Sequence, residues 1–404
     1  MTTVIDAISP ARVLTRPEDA LREAHALAAL ARTGAVERDQ QRRYAPELLA
    51  QFSASGLGSI SVPRRFGGGG LGYSTVADIL RIISAADPAL GQIPQNHFAL
   101  IHIILAAGSA EQQQILLSDI VQGQRLGNGG PEKNSRNTRE ILARLQPVNG
   151  ELRLNGEKFY STGALFADRV VITALDHHNT PVMVFIPRHS PGVTVVDDWS
   201  GMGQRTTASG TVRLENVRVT PGQVLPAPPA DQPTLRGAVS QLIQAAIDAG
   251  IAQGALEDAG QFIQHSSRPW IDATEAGISR NADDPYLLAD VGRLHTELSA
   301  ALALLQRAAK IVDSVNQQPL NAQNTARASI AVAEAKVLTT AVALRASEKL
   351  LEWGGSRATL LRHGLDRHWR NARTHTLHDP VRWKHHAIGN YYLNGVFPAR
   401  HAWI

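Results

Sequence analysis

The chain has no cysteine among its 404 residues. That excludes disulfides, thiolate nucleophiles and cysteine-ligated zinc. The string HExxH is also missing, so two histidines at helical spacing are not taken as a zinc site, and no metal is expected. No apolar run approaches the roughly 18 residues of a membrane span. The opening MTTVIDAISPARVL lacks the charged and then apolar order of a secretion signal. A cytoplasmic protein without a membrane partner is therefore expected. Lysine and arginine number 40 against 36 acidic residues, with no basic stretch resembling a nucleic-acid footprint, so no nucleic-acid partner is expected. The four glycines of VPRRFGGGGLG are followed by no Lys-Ser/Thr and sit in no strand-turn-helix pattern. That removes the P-loop and dinucleotide-fold readings.

What remains is an ordinary globular composition, 43% apolar, with enough chain for two or three domains. Residues 17–32 carry apolar side chains at Leu21, Ala24, Leu27, Ala28 and Ala31, a helical stripe. Further helices are expected from Pro46 to near Gly56, from Ser74 to Ala86, from about Gln92 to Ala107, and from Ser109 to about Gln122. At about Arg125 the texture changes to successive strand-like runs such as ILARLQPV, ELRL, EKFYS, RVVITAL, PVMVFIP and TVRLENVRV. Asn149-Gly150 and Asn155-Gly156 between them read as hairpin turns. After LPAPPADQP the pattern returns to long Ala/Leu-rich helices, about 235–264, 284–316 and 321–351, with a shorter one near 359–376. The domains expected are 1–124, helical; 125–230, a β-barrel or sandwich; and 231–404, a helical bundle.

The densest chemistry lies in RNARTHTLHDP, Arg370 to Pro380. His375 and His378 are three apart and share a helix face, Asp379 follows, and Pro380 stops the helix. Two roles are open to these histidines: reaction chemistry at a turn facing a cavity, or neutralisation of a helix C-terminus.

VPRRFGGGGLG, then DDWSGMGQRTTASGTVRLENVRV, then WGG followed by LDRHWRNART, taken in order and spacing, resemble the acyl-CoA dehydrogenase superfamily over nearly the whole chain. The resemblance implies an α+β multidomain fold with an N-terminal helical domain, a middle β-barrel and a C-terminal four-helix bundle. Dehydrogenases of that superfamily carry a glutamate in a Tyr-Glu-Gly-Thr type motif, where this chain reads His378-Asp379-Pro380. THTLHDP, preceded by RHWRN and followed by VRWKHHAIGNYYLNG, is similar instead to the flavin monooxygenase branch, which includes dibenzothiophene monooxygenase and sulfur-acquisition oxidoreductases. That likeness implies reduced FMN supplied by a separate NAD(P)H:flavin reductase, O2 as co-substrate, a C4a-hydroperoxyflavin, and oxygenation of a small organosulfur substrate by a homotetramer.

The same resemblance implies the site. His378 and His97 would act on the flavin–oxygen adduct from two sides of a water-poor chamber, with Asn128, Thr162 and Arg357 as further catalytic groups. Cofactor contacts would come from Asn128, Tyr160, Thr162, Trp199, Gly354, Gly355, His375, His378 and Asp379, and Arg268 would reach the FMN phosphate of a neighbouring subunit. Structural roles stand beside these: a turn for Asn128, the barrel core for Trp199, an ion pair for Arg357. Ile101 replaces a tyrosine of the relatives, four residues after His97. Two other functions stay open: an FAD-dependent acyl-CoA dehydrogenase with Asp379 as base, and a non-catalytic binding protein on the same fold.

Overall fold

The structure, a computed structural model, describes residues 11–229 and 231–404. Seven helices open the chain: α1 (Pro17–Arg32), α2 (Ala35–Gln41), α3 (Pro46–Ala54), α4 (Tyr73–Ala86), α5 (Pro88–Gln92), α6 (Gln95–Ala107) and α7 (Ala110–Val121). Proline in the first turn starts α1, α3 and α5, where a missing N–H costs nothing. Ser109 and Gln112 form a reciprocal capping box at the start of α7. The helix expected from about Gln92 to Ala107 is α6, which starts at Gln95 because Pro94 takes its N-cap, and the short α5 before it was not expected.

Eight strands follow: β1 (Leu126–Gly129), β2 (Arg144–Val148), β3 (Glu151–Lys158), β4 (Arg169–Leu175), β5 (Pro181–Pro187), β6 (Val193–Val195), β7 (Val212–Val219) and β8 (Val224–Pro226). They form one sheet in the order β6-β7-β3-β2-β4-β5-β8, with β1 parallel to β4. Alternation sorts the side chains. Val170, Ile172, Val184 and Ile186 fill the sheet's own core, while Val171, Met183 and Phe185 join the core shared with the helices. Asn149 and Gly150 both have positive φ, as the hairpin expectation requires. Asn155-Gly156 does not turn the chain: β3 runs through it, with a register shift against β7.

The last part holds α8 (Arg236–His265), α9 (Ile271–Glu275), α10 (Pro285–Asn316), α11 (Ala322–Gly354), α12 (Asp366–His375) and α13 (Arg382–Asn394). Asp284 and Asn321 cap α10 and α11 through their side chains. Helix α8 is buried on every side from Gly237 to Ala252, as expected of a helix inside a bundle. Its Gly254 lets α4 approach so closely that a Cβ would lie 2.2 Å from the Ala85 carbonyl oxygen. The helix expected over 359–376 is interrupted, since Gly364 turns with φ +57° before α12 begins. No helix among the described residues is long and apolar enough to cross a membrane.

Candidate functional site

Asn128 stands at the end of β1 and knits that strand to the loop after β3. Its backbone N–H donates to the Thr162 carbonyl (3.1 Å), its Nδ2 donates to the Tyr160 carbonyl (3.1 Å), and its Oδ1 accepts from Gly130 N (3.1 Å). Tyr160 has φ +54° and is 53% exposed. Its ring meets Trp199 edge-on at 6.0 Å and Phe159 at 4.7 Å. Behind this wall a buried hydroxyl chain runs from Thr162 Oγ1 to Ser209 Oγ (2.8 Å) to Thr207 Oγ1 (2.7 Å). Thr162, Tyr160, Trp199 and Asn128 are thus brought together on one edge of the sheet.

Helix α12 is seated on the same edge. The Trp199 indole donates to the Gln204 carbonyl (2.8 Å), which curls residues 199–204 into a tight loop. Gly203 N donates to Thr374 Oγ1 (3.1 Å), and Gln204 N to Asn371 Oδ1 (2.6 Å). Only glycine fits there, since a Cβ on Gly203 would sit 2.0 Å from the Arg370 carbonyl oxygen. Arg370 closes the junction from the other side, bonding Asp366 (2.8 Å), the Met202 carbonyl (2.9 Å) and Asp39 of α2.

His378 lies one helical turn beyond Thr374, in the turn that ends this segment. Its Nδ1 is 3.5 Å from Asp379 Oδ1, and Lys384 Nζ meets Asp379 Oδ2 at 2.7 Å. Lys384 also donates to the Trp403 carbonyl, which pins the C-terminal segment beside the turn. Between them opens a cleft of about 520 Å³ whose walls include His378, Trp383, Phe397 and Trp403, with Thr138 and Arg139 of the loop that follows Asn128. The His378 side chain is 36% exposed at this cleft and is not enclosed within the single chain. His375 is fully buried, with Nδ1 2.5 Å from Asp248 Oδ1 of α8.

His97 departs from its expected place. It is buried behind β1, with Nε2 donating to the Gly58 carbonyl (2.8 Å) and Nδ1 accepting from Leu126 N–H (3.1 Å). Burial pushes its pKa down to about 4, against the support of the Gly58 bond. A neutral imidazole with both nitrogens engaged ties α6 to β1 two residues before Asn128, a positioning task with no free proton to give. Ile101, one turn on, is fully buried in the core. Removal of the ring in His97→Ala leaves two buried backbone groups unpaired and should cost about 2–4 kcal/mol in urea unfolding. Its pH signature has a definite sign. The folded pKa lies below the unfolded one of about 6.5, so this contribution is intact above pH 6.5 and falls by about 3 kcal/mol as pH drops toward 4. His97→Gln should flatten that slope.

Arg268, Gly354, Gly355 and Arg357 form a separate place at the far ends of α8 and α11. Asn281 Nδ2 bridges Ser267 Oγ (2.8 Å) and the Trp353 carbonyl (3.3 Å), holding the two segments side by side. Gly354 packs on Phe262 and Ala358, and Gly355 has φ +64° with open space around it. Arg268 is exposed and makes no side-chain bond among the described residues; Arg357 is half-buried and likewise forms no ion pair among them.

Three family models match in order: Acyl-CoA dehydrogenase, N-terminal domain, over residues 18–124, the middle domain over 132–217, and the C-terminal domain over 242–383. The chain belongs to the acyl-CoA dehydrogenase family. Within the family it is 34% identical to a dibenzothiophene monooxygenase of Rhodococcus erythropolis over 412 residues, covering 97% of this chain and 98% of that one. It is 31% identical to the probable FMNH2-dependent monooxygenase SfnC of Pseudomonas putida over 396 residues, covering 96% and 98%. The FMN-bound crystal structure of TdsC from Paenibacillus sp. A11-2 superposes with a TM-score of 0.90 at 31% identity, covering 95% of this chain and 100% of that one.

Several residues of this family member's junction escape sequence reasoning. Asn371 and Thr374 stand four residues and one residue before His375 in a helix whose polar face reads as solvated until the 199–204 loop is seen to cover it. Asp248 carried a usable signal. It is the one charge in α8 between Arg236 and Glu257, in the largely apolar stretch QAAIDAGIAQGAL, and a lone acid there demands a partner.

Proposed function

We propose that the chain is a two-component, FMNH2-dependent monooxygenase that oxygenates a small organosulfur compound and takes its reduced flavin from a separate NAD(P)H:flavin reductase. The observation that carries this reading is the state of the turn that replaces the dehydrogenase glutamate. Asp379, the only acid there, is already committed to Lys384 at 2.7 Å. Burial alone would raise its pKa, but the His378 bond and the Lys336 and Lys384 charges outweigh it and hold the carboxyl well below its usual range. Such a carboxylate is a weak base for removing a substrate α-proton, which counts against the FAD dehydrogenase alternative. The imidazole of His378 remains as the group that holds and moves a proton.

The residues fit a flavin. Ser161 Oγ, both amide atoms of Gln204 and His375 Nε2 are buried around the α12–sheet junction without a protein partner, and the polar edge of an isoalloxazine supplies partners of the kind they lack. Reduced FMN, when bound, supplies the two electrons that let dioxygen be divided between substrate and water. Asn128 and Thr162 orient polar atoms at the sheet edge, and Tyr160 and Trp199 cover the ring and exclude water. His375 and Asp379 hold the bundle side. Gly354 and Gly355 let backbone approach a neighbour's cofactor, Arg268 takes its phosphate through the guanidinium fork, and Arg357 adds positive charge there. A homotetramer is part of this reading, because Trp270 and Leu393 are 69% and 84% exposed, and large apolar side chains left open in one chain favour burial between copies. A cytoplasmic location completes it.

Supplying FMNH2 and oxygen with a panel of sulfides, sulfoxides, sulfones and thiophenes should give oxygenated products by mass spectrometry. NAD(P)H without a reductase should give none. Tight FAD with turnover independent of oxygen would establish the dehydrogenase alternative, and absence of any flavin-dependent turnover the non-catalytic one.

A further inference from the structure

Asp248 lies in the middle of α8, completely buried, and none of the roles above uses it. Three side chains converge on its carboxylate: Lys336 Nζ (2.7 Å) and Thr340 Oγ1 (2.9 Å) from α11, and His375 Nδ1 (2.5 Å) from α12. A buried ionic cluster of this kind contributes little to stability compared with apolar packing, so its retention calls for another account. The protonation states follow from the surroundings. Burial raises the carboxyl, but the Lys336 charge and then His375 outweigh it and bring Asp248 to about 2. Burial lowers His375, against the pull of Asp248. An ionised carboxylate only accepts, so Nδ1 of the neutral ring carries the proton and Nε2 carries the lone pair. That nitrogen is buried and meets no hydrogen-bonding group among the described residues.

We propose that Asp248 is a positioning residue for the flavin site: it locks His375 in the Nδ1–H tautomer and makes Nε2 the buried proton acceptor that charges when an anionic flavin binds. The charge count around the turn supports this. Asp248 pairs with Lys336 and Asp379 with Lys384, so with both imidazoles neutral the cluster carries no net charge. An anionic ligand there draws its countercharge from an imidazole, and His375 is the one aligned on a carboxylate. The groups facing His375 are Asp248 from α8, Lys336 and Thr340 from α11, and His378 from its own turn. Without Asp248 the remaining charged neighbour, Lys336, opposes the imidazolium.

This inference rests on the proposed flavin site, and its test separates the two. Binding of reduced FMN, titrated anaerobically by tryptophan fluorescence, should weaken in the wild type as pH rises beyond the range where the free flavin has become an anion, because there the ligand brings no proton and His375 must take one from solvent. In Asp248→Asn the midpoint of that decline should move down by about one pH unit, equivalent to roughly tenfold weaker binding above it. Oxidised FMN carries the same phosphate and should bind wild type and variant alike. Should Asp248→Asn fail to fold by urea unfolding, Asp248→Asn/Lys336→Met removes both charges together and is expected to move the midpoint in the same direction by a smaller amount, since the opposing Lys336 charge goes with the carboxylate. Coincident midpoints in a folded variant overturn the inference. Tight FMNH2 binding without oxygenation overturns only the proposed function, and a wild type that binds no FMNH2 overturns both.

Discussion

Oxygenated product formed by His378→Ala is expected to fall about a hundredfold or more, while reduced flavin is still consumed and its electrons emerge as hydrogen peroxide. The reason is the position of the ring. It borders an open cleft of about 520 Å³ and lies 3.5 Å from Asp379, whose pairing with Lys384, itself bonded to the Trp403 carbonyl, anchors the turn. The variant keeps that anchor, so the fold and the seat of α12 on the 199–204 loop survive. On the proposed function, what is lost is the group that would hand a proton to the reacting oxygen, and without it productive transfer would lose to release. Product by mass spectrometry and peroxide by a coupled assay, measured on one sample, check both halves. An unchanged product yield would remove His378 from the chemistry. His97→Ala gives the contrast, since its deficit should follow the fraction of protein unfolded and leave the product-to-peroxide ratio of the folded fraction nearly constant.

That contrast marks how far the sequence alone reaches. His97 and His378 look alike as residues in helical surroundings, and only the Gly58 carbonyl and the Leu126 amide, 39 and 29 positions away, separate a structural imidazole from an available one. The helices were legible where local chemistry decides them: prolines in first turns, the Ser109–Gln112 box, the caps at Asp284 and Asn321. The apolar runs of β4 and β5 and the alternation of β7 were legible for the same reason. What stayed hidden depends on distant partners. β1 is four residues, LGNG, and is a strand only because β4 pairs with it. α2 is short and polar, held by Arg38 on Asp87 and by Asp39 on Arg370. Asn155-Gly156 has the composition of a turn, yet β7 keeps the chain straight through it. The HDP turn and its flanks were visible as a motif, whereas the Asp248–His375 pair, 127 residues apart, leaves no spacing to read.

Arg268→Ala should raise the dissociation constant for FMNH2 by roughly tenfold to a hundredfold, the scale of a lost charge-assisted phosphate contact, and a mixing experiment should show which subunit it serves. Arg268 is exposed, in a segment held against Trp353 rather than against the α12–sheet junction. If it serves a flavin at all, geometry within one chain does not require that flavin to be its own. Should the site be shared, an Arg268→Ala subunit and a His378→Ala subunit complement each other: one of the two sites in each mixed pair then has both groups intact, and the other has neither. Unfolding and refolding an equal mixture should therefore restore about a quarter of wild-type oxygenation at an FMNH2 concentration that leaves Arg268→Ala alone nearly inactive. No recovery, with mixed oligomers verified by mass, would assign the phosphate contact to the chain that also supplies His378. Loss of FMNH2 affinity without loss of the oligomer, in Arg268→Ala alone, separates a phosphate role from a purely structural one, because the guanidinium has no side-chain partner among the described residues whose removal could loosen the fold.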